Sequence, residues 1–599
     1  MTLRIAALVK QIPAFEQMTL GPDGRLRREG IELELSAYCR RAVAQAVSLA
    51  HNRGGDVTVL TLGPPSAEDV LREALAWAAD RGVDATGVLV TDPVFAGSDT
   101  LATAKAITAA LQREGPFDLI VFGRNSVDAD TGQVGPEVAE LFGVPFATGV
   151  RELALSGDTL DLRCEHDDGW VQLRFSLPAA LSCAERLIEP CKVPPDRRAA
   201  VPTRKLRRLD AAALGPGPWG AEGSPTRVGR TRLHEVPRDR RILDGPLPEQ
   251  IHTAVAALHE RGALDPLPKA DGAAVPPLVS AEHGPAVAVV VEPDREVLTG
   301  ELLGTAAQLA REVGGHVVAI GTEVGSDRAE ALAAQGADAL VRIDTGRSAV
   351  EEDVARAVYE WAVPRTPWAI LAPSTAWGRE VASRVAVRLD AGLTGDAVAL
   401  EASGARLVAW KPAFGGQLVA EITTTSPVQL ATVRIGVLDH LVPRPVSAAP
   451  SIETLVVEPR SRAVVLSRGR DDDLGALAEA DVVVGIGRAV SPETYPDLDA
   501  LLHVLDAELA ATRKVTDEGW LPRARQVGIT GRSISPRLYV ALGVGGKFNH
   551  VVGVRNAGTI LAVNRDRDAP IFGASDLGVV GDWQEAVPLL VAELERVPV

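Results

Sequence analysis

The sequence predicts an α/β protein made of three parallel-sheet units, the first two of them copies of one another. Three observations carry this. Short apolar, β-branched runs alternate with longer Ala/Leu/Arg stretches at helical period. That alternation passes the same landmarks twice before a third series begins. The chain has 599 residues, which at roughly 100–200 per domain gives about three to five domains.

The first series places strands at 3–10, 56–63, 87–91 and 117–123, separated by helices near 41–52, 67–79 and 99–114. Residues 158–165 and 170–183 then alternate polar and apolar, the pattern of an antiparallel pair with one wet face. The second series has strands at 286–291, 316–321, 339–343 and 368–373 and ends in a similar pair near 406–410 and 418–425. The landmarks coincide: Asp118 to Gly123, a polar loop and Ala147-Thr148-Gly149-Val150 parallel Trp368 to Pro373, a loop and Leu393-Thr394-Gly395-Asp396. Between the series, 242–261 reads as a helix, and 263–285, rich in Pro, Ala and Gly, reads as a linker. The third series has strands at 481–485, 538–543 and 559–564.

Composition narrows the function. Apolar residues are 46% and charged residues 24%, the balance of a globular chain, and with 4% aromatics the cores are built from Ala, Val and Leu. The net charge of −17 disfavours nonspecific attraction to nucleic acid or an anionic bilayer. Cys39, Cys164, Cys183 and Cys191 form no CxxC pair, so neither a disulfide framework nor a metal site is expected. No apolar run reaches the ~18 residues of a membrane span, and the N-terminus is charged too early for a signal peptide. A cytoplasmic location is the expectation.

The third unit is richest in chemistry. A buried strand runs into Gly485-Ile486-Gly487-Arg488, where glycines allow close backbone approach and a guanidinium can fork onto phosphate. Gly528 to Arg532 and Val544 to His550 add small-residue loops, the second opening a helix whose N–H groups suit a pyrophosphate. Asn564 and Asp576 close strand-like runs, and together these positions describe one dinucleotide crevice. In the first unit, Asp128 to Pro136 leads from a strand into a helix, so Asp130 to Gln133 can hold ribose and phosphate or simply form an acidic N-capped turn. The corresponding segment 374–387 lacks these acids, and no nucleotide is expected there.

The run 527–576 resembles the flavin domain of the alpha subunit of electron transfer flavoproteins. Thr530, Gly531, Leu538-Tyr539, Gly543, Gly546, His550, Thr559-Ile560, Asn564, Asp566, Ala569 to Phe572 and Asp576 fit its pattern. Residues 1–262 resemble the beta subunit through Val9 to Pro13, Asp128 to Pro136 and Arg186 to Pro190, and 286–465 resemble the alpha subunit's first domain through Ala372 to Thr375 and Ala431 to Arg434. The resemblance implies two duplicated adenine-nucleotide-hydrolase-like (HUP-type) parallel α/β domains plus a C-terminal Rossmann-like FAD-binding domain. The domains would be 1–262 with a C-terminal arm, the linker 263–285, then 286–465 and 466–599, a beta–alpha fusion able to stay monomeric.

Residue by residue, the resemblance places Arg488, Gly543, Gly545, Gly546 and Lys547 at the FAD diphosphate. It sets Thr512 and Arg513 against the isoalloxazine, and Ile529, Thr530 and Gly531 near N5. Asn549 and His550 fall near N1 and the C2 carbonyl, and Asn564 and Asp576 fall at the adenosine half. Reduction puts negative charge on N1 and the C2 carbonyl, so a fixed cation there favours the anionic forms. At about 4 Å and an effective dielectric of ~20 it is worth ~4 kcal/mol, or roughly 0.17 V. Ile529, Gly545 and Lys547 to Asn549 depart from the family pattern, which leaves the potential open. Asp128, Asp130, Thr131, Gln133, Val134 and Gly135 would hold AMP or a second FAD. Phe15 and Tyr38 match aromatics at the flavin's dimethylbenzene edge, with a core role as the alternative.

The implied function is that of a redox carrier, not a substrate-converting enzyme. FAD takes electrons from dehydrogenases, as in fatty acid oxidation, and passes them to a quinone-linked oxidoreductase or another acceptor. The alternative is an electron-bifurcating, NADH-oxidising flavoprotein with a second FAD in the beta-like domain. The segment 191–209 resembles a partner-recognition loop, its Arg/Lys set being either a docking face for an acidic partner or a solvated surface. A hinge is expected near 462–473.

Overall fold

In the computed structural model, the chain forms two packing units: Met1–Leu233 with Gly272–Gly469, and His234–Asp271 with Arg470–Val599. The structure describes residues 2–13, 31–126, 128–167, 169–233, 237–265, 273–277, 284–413, 418–439, 441–447, 449–470, 477, 480–528 and 531–596.

The first unit contains the duplication. Its first copy comprises β1 (Arg4–Leu8), β2 (Asp56–Leu62), β3 (Asp84–Val90), β4 (Leu119–Gly123), β5 (Phe146–Ser156), β6 (Ala179–Cys183) and β7 (Leu206–Leu209). They are ordered β7-β3-β2-β1-β4-β6-β5, parallel throughout. The second copy comprises β8 (Ala286–Val290), β9 (His316–Gly321), β10 (Ala339–Asp344), β11 (Ala369–Pro373), β12 (Leu393–Ala397), β13 (Gln429–Val433) and β14 (Ile452–Val456). Its order, β14-β10-β9-β8-β11-β13-β12, is the same with every label advanced by seven, again all parallel. Helices cover both faces, so the central strands are apolar on both sides; Ile5, Ala6 and Ala7 are fully buried. The first sheet is extended to ten strands by the antiparallel pair Thr159–Glu165 and Gly169–Ser176 and by Val464–Arg470 at its edge.

The two copies meet through the helices Val134–Phe142 and Ala376–Leu389. Arg384, 1% exposed at its side chain, donates to Glu140 at 2.8 Å and to Glu380 at 3.1 Å, and Arg388 adds a 2.5 Å contact to Glu140. Thr148 donates to the other oxygen of Glu380 at 2.9 Å. Every member of this buried network has a partner, the condition under which ions survive desolvation. Thr226–Leu233 also pairs with Leu418–Thr424, so a strand of one half completes a sheet of the other.

The second unit is a parallel sheet of β15 (Val482–Ile486), β16 (Glu508–Ala511), β17 (Leu538–Leu542), β18 (Thr559–Asn564) and β19 (Leu577–Val580), ordered β16-β15-β17-β18-β19. Its sixth strand, Arg241–Ile242, comes from the arm and pairs with Leu577 and Gly578. The arm helix Leu247–Glu260 buries Ile251, Ala254, Val255 and Leu258, a 3.6-period stripe, in the same core as Trp583, Val587 and Leu590 of the C-terminal helix.

Packing boundaries therefore differ from the expected domains. Residues 237–265 belong to the second unit, and Val464–Gly469, on the expected hinge, is held in the ten-stranded sheet. There Ser467 donates to Gln172 at 2.6 Å and Arg468 to the Ala349 carbonyl at 3.1 Å. Among the described residues, no helix is long and apolar enough to cross a membrane.

Arg384→Gln removes the cation between two buried carboxylates. It should lower the unfolding free energy of the first unit by about 3–5 kcal/mol, read from urea denaturation; a change under about 1 kcal/mol would show that the network is dispensable.

Candidate functional site

In the second unit the chain leaves β15, forms β16 on one side, then crosses back to form β17 on the other. This is a topological switch point, and ligands of open α/β sheets bind beyond the strand carboxyl ends there. Gly487 and Arg488 follow β15, Gly543 to Lys547 follow β17, Thr512 and Arg513 follow β16, and Asn564 ends β18.

The glycines are there for closeness. The Gly487 N–H donates to the Leu542 carbonyl at 3.0 Å, and a Cβ at Gly487 would overlap the Gly543 carbonyl. Gly543 and Gly546 have φ of 60° and 73°, and a Cβ at Gly546 would overlap the backbone of Ile571. A Cβ at Gly545 would meet nothing within 4 Å. Arg488 and Lys547 are exposed and make no ion pair among the described residues. Arg513, half exposed, donates to Asp517 at 3.1 Å. Asn564 donates to the Val544 carbonyl at 3.0 Å and accepts the Asp566 N–H at 2.9 Å, tying the ends of β17 and β18 together.

His550 is buried. The Val527 carbonyl, 3.1 Å from Nδ1, can only accept, so Nδ1 carries the proton and Nε2 accepts from the Tyr539 hydroxyl at 2.8 Å. Gly485 makes room for that hydroxyl. Burial pushes the imidazole down to about 4, so the ring is neutral and the cation expected at this position is absent. Its work is positional: it holds Val527, whose N–H donates to the Ala511 carbonyl at 2.9 Å, at the end of β16. Ile529 and Thr530 lie outside the described residues.

Asp576 is at the wrong end of the sheet for an adenosine contact. It precedes β19, opposite Ile560 at the amino end of β18. Asn564 is four residues further on, ~13 Å at a strand's rise. Asp576 is fully buried and accepts from Arg238 at 2.7 Å, Arg261 at 3.1 Å and the Ile560 N–H at 2.8 Å, which binds the arm to the sheet. Asp582, just past β19, does sit at the carboxyl edge, as does Asp566 past β18; Asp582 accepts the Gln584 N–H at 3.0 Å, and the preceding Gly581 N–H donates to Asn564 at 3.2 Å. Its signal in the sequence, an Asp closing an apolar run before a helix, was carried equally by Asp576.

In the first unit, Asp128 receives two hydrogen bonds from Lys10, at 2.8 and 2.9 Å. Burial opposes its ionisation, but the Lys10 ammonium holds the carboxyl below its usual range. Asp130, at φ 45°, accepts from Asn125 at 2.8 Å. Gln133 accepts from Thr100 at 3.0 Å, and its Nε2 is buried without a partner among the described residues; Val134 and Gly135 open the helix Val134–Phe142. Glu137, one turn on, is fully buried, and burial pushes it up to about 8. Across from this loop lies a cluster the sequence did not reveal. Asp396 accepts from Arg379 at 3.3 Å and from Arg434, and Lys411 donates to the Gly395 carbonyl at 3.0 Å. Burial opposes the Asp396 carboxylate, and the two guanidiniums overcome it, holding the group well below the usual range. Lys411 and Arg434 also feel the Asp130 carboxylate, and Arg379 that of Asp167. Arg379, Asp396, Lys411 and Arg434 are spread over fifty-five residues and are brought together by the helix Ala376–Leu389, β12, the antiparallel strand Arg406–Ala413 and the end of β13.

Tyr38 is buried at the start of the helix Ala37–Arg53 against Gly123; Phe15 lies outside the described residues. The basic set near 197–208 is largely spent within the chain: Arg198 pairs with Glu73 at 3.0 Å, Arg208 with Glu68 at 2.7 Å, and Arg197, Lys205 and Arg207 with Asp80, Asp84 and Glu114.

Comparison with known proteins bears on both units. The electron transfer flavoprotein domain matches residues 23–209 and again 287–459, and the electron transfer flavoprotein FAD-binding domain matches 476–555. The chain belongs to the electron transfer flavoprotein family. Its C-terminal part is 35% identical over 306 residues to the electron transfer flavoprotein subunit alpha of Thermoanaerobacterium thermosaccharolyticum, covering 49% of this chain and 92% of that one. Its N-terminal part is 33% identical over 261 residues to the subunit beta of Clostridium acetobutylicum, covering 43% and 98%. Protein FixB of Clostridium saccharobutylicum is 31% identical over 308 residues, covering 50% and 91%. This electron transfer flavoprotein is thus a beta–alpha fusion.

The carboxyl edge of the second unit suits FAD on its own geometry. Gly487 and Gly546 lie too close to the backbone of Gly543 and Ile571 for any side chain, Gly545 opens to free space, and Arg488 and Lys547, without an ion pair among the described residues, flank it.

Because the fold lowers the His550 pKa, the unfolded chain binds more protons below about pH 6.5, and stability is lost as pH falls from there towards 4. At pH 5 the second unit should be about 2 kcal/mol weaker than at pH 7 from this ring alone. Hydrogen exchange of the 538–542 amides, corrected for intrinsic rates, should show it, and His550→Gln should remove the pH dependence. An unchanged profile in the variant would contradict the assignment.

Proposed function

We propose that this chain is a one-chain electron carrier. FAD bound at the edge of β15, β16 and β17 takes electrons from dehydrogenases, including those of fatty acid oxidation, and delivers them to a quinone-linked oxidoreductase or other acceptor in the cytoplasm. The observation that carries this reading is the glycine cradle at the switch point with Arg488 and Lys547 uncommitted beside it. FAD supplies the one- and two-electron chemistry. The chain supplies the rest: Val544 to Lys547 offer backbone N–H groups to the diphosphate, the Gly543 N–H being held by the Val563 carbonyl at 3.0 Å, and Arg488 and Lys547 neutralise its charge. Arg513, at the end of β16, is the fixed cation for the isoalloxazine side, the imidazole being neutral. Asn564, with Asp582 in place of Asp576, faces the adenosine half.

A second nucleotide at Asp128, Asp130, Thr131, Gln133, Val134 and Gly135 is part of the proposal. The cations Lys411 and Arg434 beside Asp130 favour an anionic ligand, which AMP and a second FAD both provide.

The test is the identity and number of nucleotides released on denaturation. The carrier reading expects one FAD and one AMP per chain. Two FAD with NADH oxidation would establish the bifurcating alternative, and a natively purified chain without flavin would overturn both.

A further inference from the structure

The duplication gives the second α/β copy a carboxyl edge of its own, and this edge is not closed. A cavity of about 350 Å³ opens beyond β8, β9 and β10, the counterparts of β1, β2 and β3, and reaches Trp377 on the helix that follows β11. It lies beside the 374–379 loop, which is spent internally: Thr375 donates to Glu292 at 2.7 Å, and Arg379 is committed to Ser374 and Asp396. The cavity draws its chemistry from other strand ends.

Its charged side chains divide into those already used and those that are not. Arg347 is paired with Asp353 at 3.1 Å, and Glu323 accepts from Arg328 at 3.4 Å and from the Asp294 N–H at 3.0 Å. Arg342, at the end of β10, is exposed and makes no ion pair among the described residues. Arg468 spends one N–H on the Ala349 carbonyl and meets no carboxylate there. Asp294, just past β8 at φ 59°, has a carboxylate with no partner among the described residues. Two guanidiniums able to fork onto a phosphate, the Asp294 carboxylate able to accept from a diol, the Asp344 carboxylate, which accepts the Gly346 N–H at 2.9 Å, and an indole wall therefore share one space.

We propose that this cavity is a further binding site, for a nucleoside monophosphate: Arg342 and Arg468 take the phosphate, Asp294 the ribose hydroxyls, and Trp377 flanks the base. The volume sits at the low end of ligand pockets, about 300–1,000 Å³, the size of a mononucleotide and not of FAD. The position obeys the strand-end rule for open α/β sheets. The site is separate from Asp128 to Gly135 and does not depend on what that segment holds.

The test is photolabelling of the flavin-loaded full chain with 8-azido-AMP, followed by peptide mapping. Label is expected within 322–349 or on the peptide of Trp377, displaced by excess AMP, with apparent affinity at least tenfold weaker in Arg342→Gln and in Arg468→Gln. Arg342 makes no ion pair among the described residues, so its variant keeps the comparison open if Arg468→Gln is unstable. No label on these peptides, or label unaffected by Arg342→Gln, overturns the proposal. Label at 128–135 reports separately on the first-domain site.

Discussion

The second unit is organised by the need to bring backbone close to backbone where β15 and β17 part. Gly487 lies so near the Gly543 carbonyl that no side chain fits between them, and Gly543 and Gly546 take left-handed conformations that keep the connection tight. The junction's own N–H groups, of Gly487 and Gly543, are held by the Leu542 and Val563 carbonyls, and the N–H groups of the loop that follows, Val544 to Lys547, are the resource a diphosphate would use. The surrounding chemistry follows from where each strand ends, which puts Arg488, Arg513, Lys547 and Asn564 around one edge although they span 77 positions of sequence.

The opposite end of the sheet is closed by buried polar contacts that the arm provides. Arg238 and Arg261 close on Asp576 at the opposite end of the sheet, with no exposed surface left at the carboxylate. His550 and Tyr539 do the same for the loop at Val527. Both sets resemble functional residues in sequence, being polar, clustered and next to glycine, but their hydrogen bonds are already satisfied inside the protein. In the first unit, Arg384 between Glu140 and Glu380 plays the corresponding part between the two copies.

Much of the fold was legible because periodicity reports burial. The strands at 316–321 and 559–564 fall where the apolar runs put them, and the duplication was visible in landmarks that proved to share one strand order. The strands missed are instructive. Leu206–Leu209 reads as a basic face because Arg207 and Arg208 are solvent-side residues of an edge strand, and Glu508–Ala511 and Leu577–Val580 are too short to show a period. The arm was read as a helix without a destination, since its apolar stripe does not say which core it enters. The site was legible where backbone conformation dictates residue type, at the glycines. It was misread where only charge was available: Asp576 and Asp582 look alike in sequence, and only the strand register separates the two edges.

The central claim is that the loop after β17 is the seat of the flavin diphosphate. Gly545 is exposed, and an added side chain there meets no protein atom, so Gly545→Val leaves the fold intact while occupying the space assigned to the ligand. The direct measurement is FAD affinity of the variant by titration of the apoprotein, with circular dichroism confirming the fold. The account predicts at least a hundredfold weaker binding in an unchanged fold; affinity equal to that of the parent chain would contradict it.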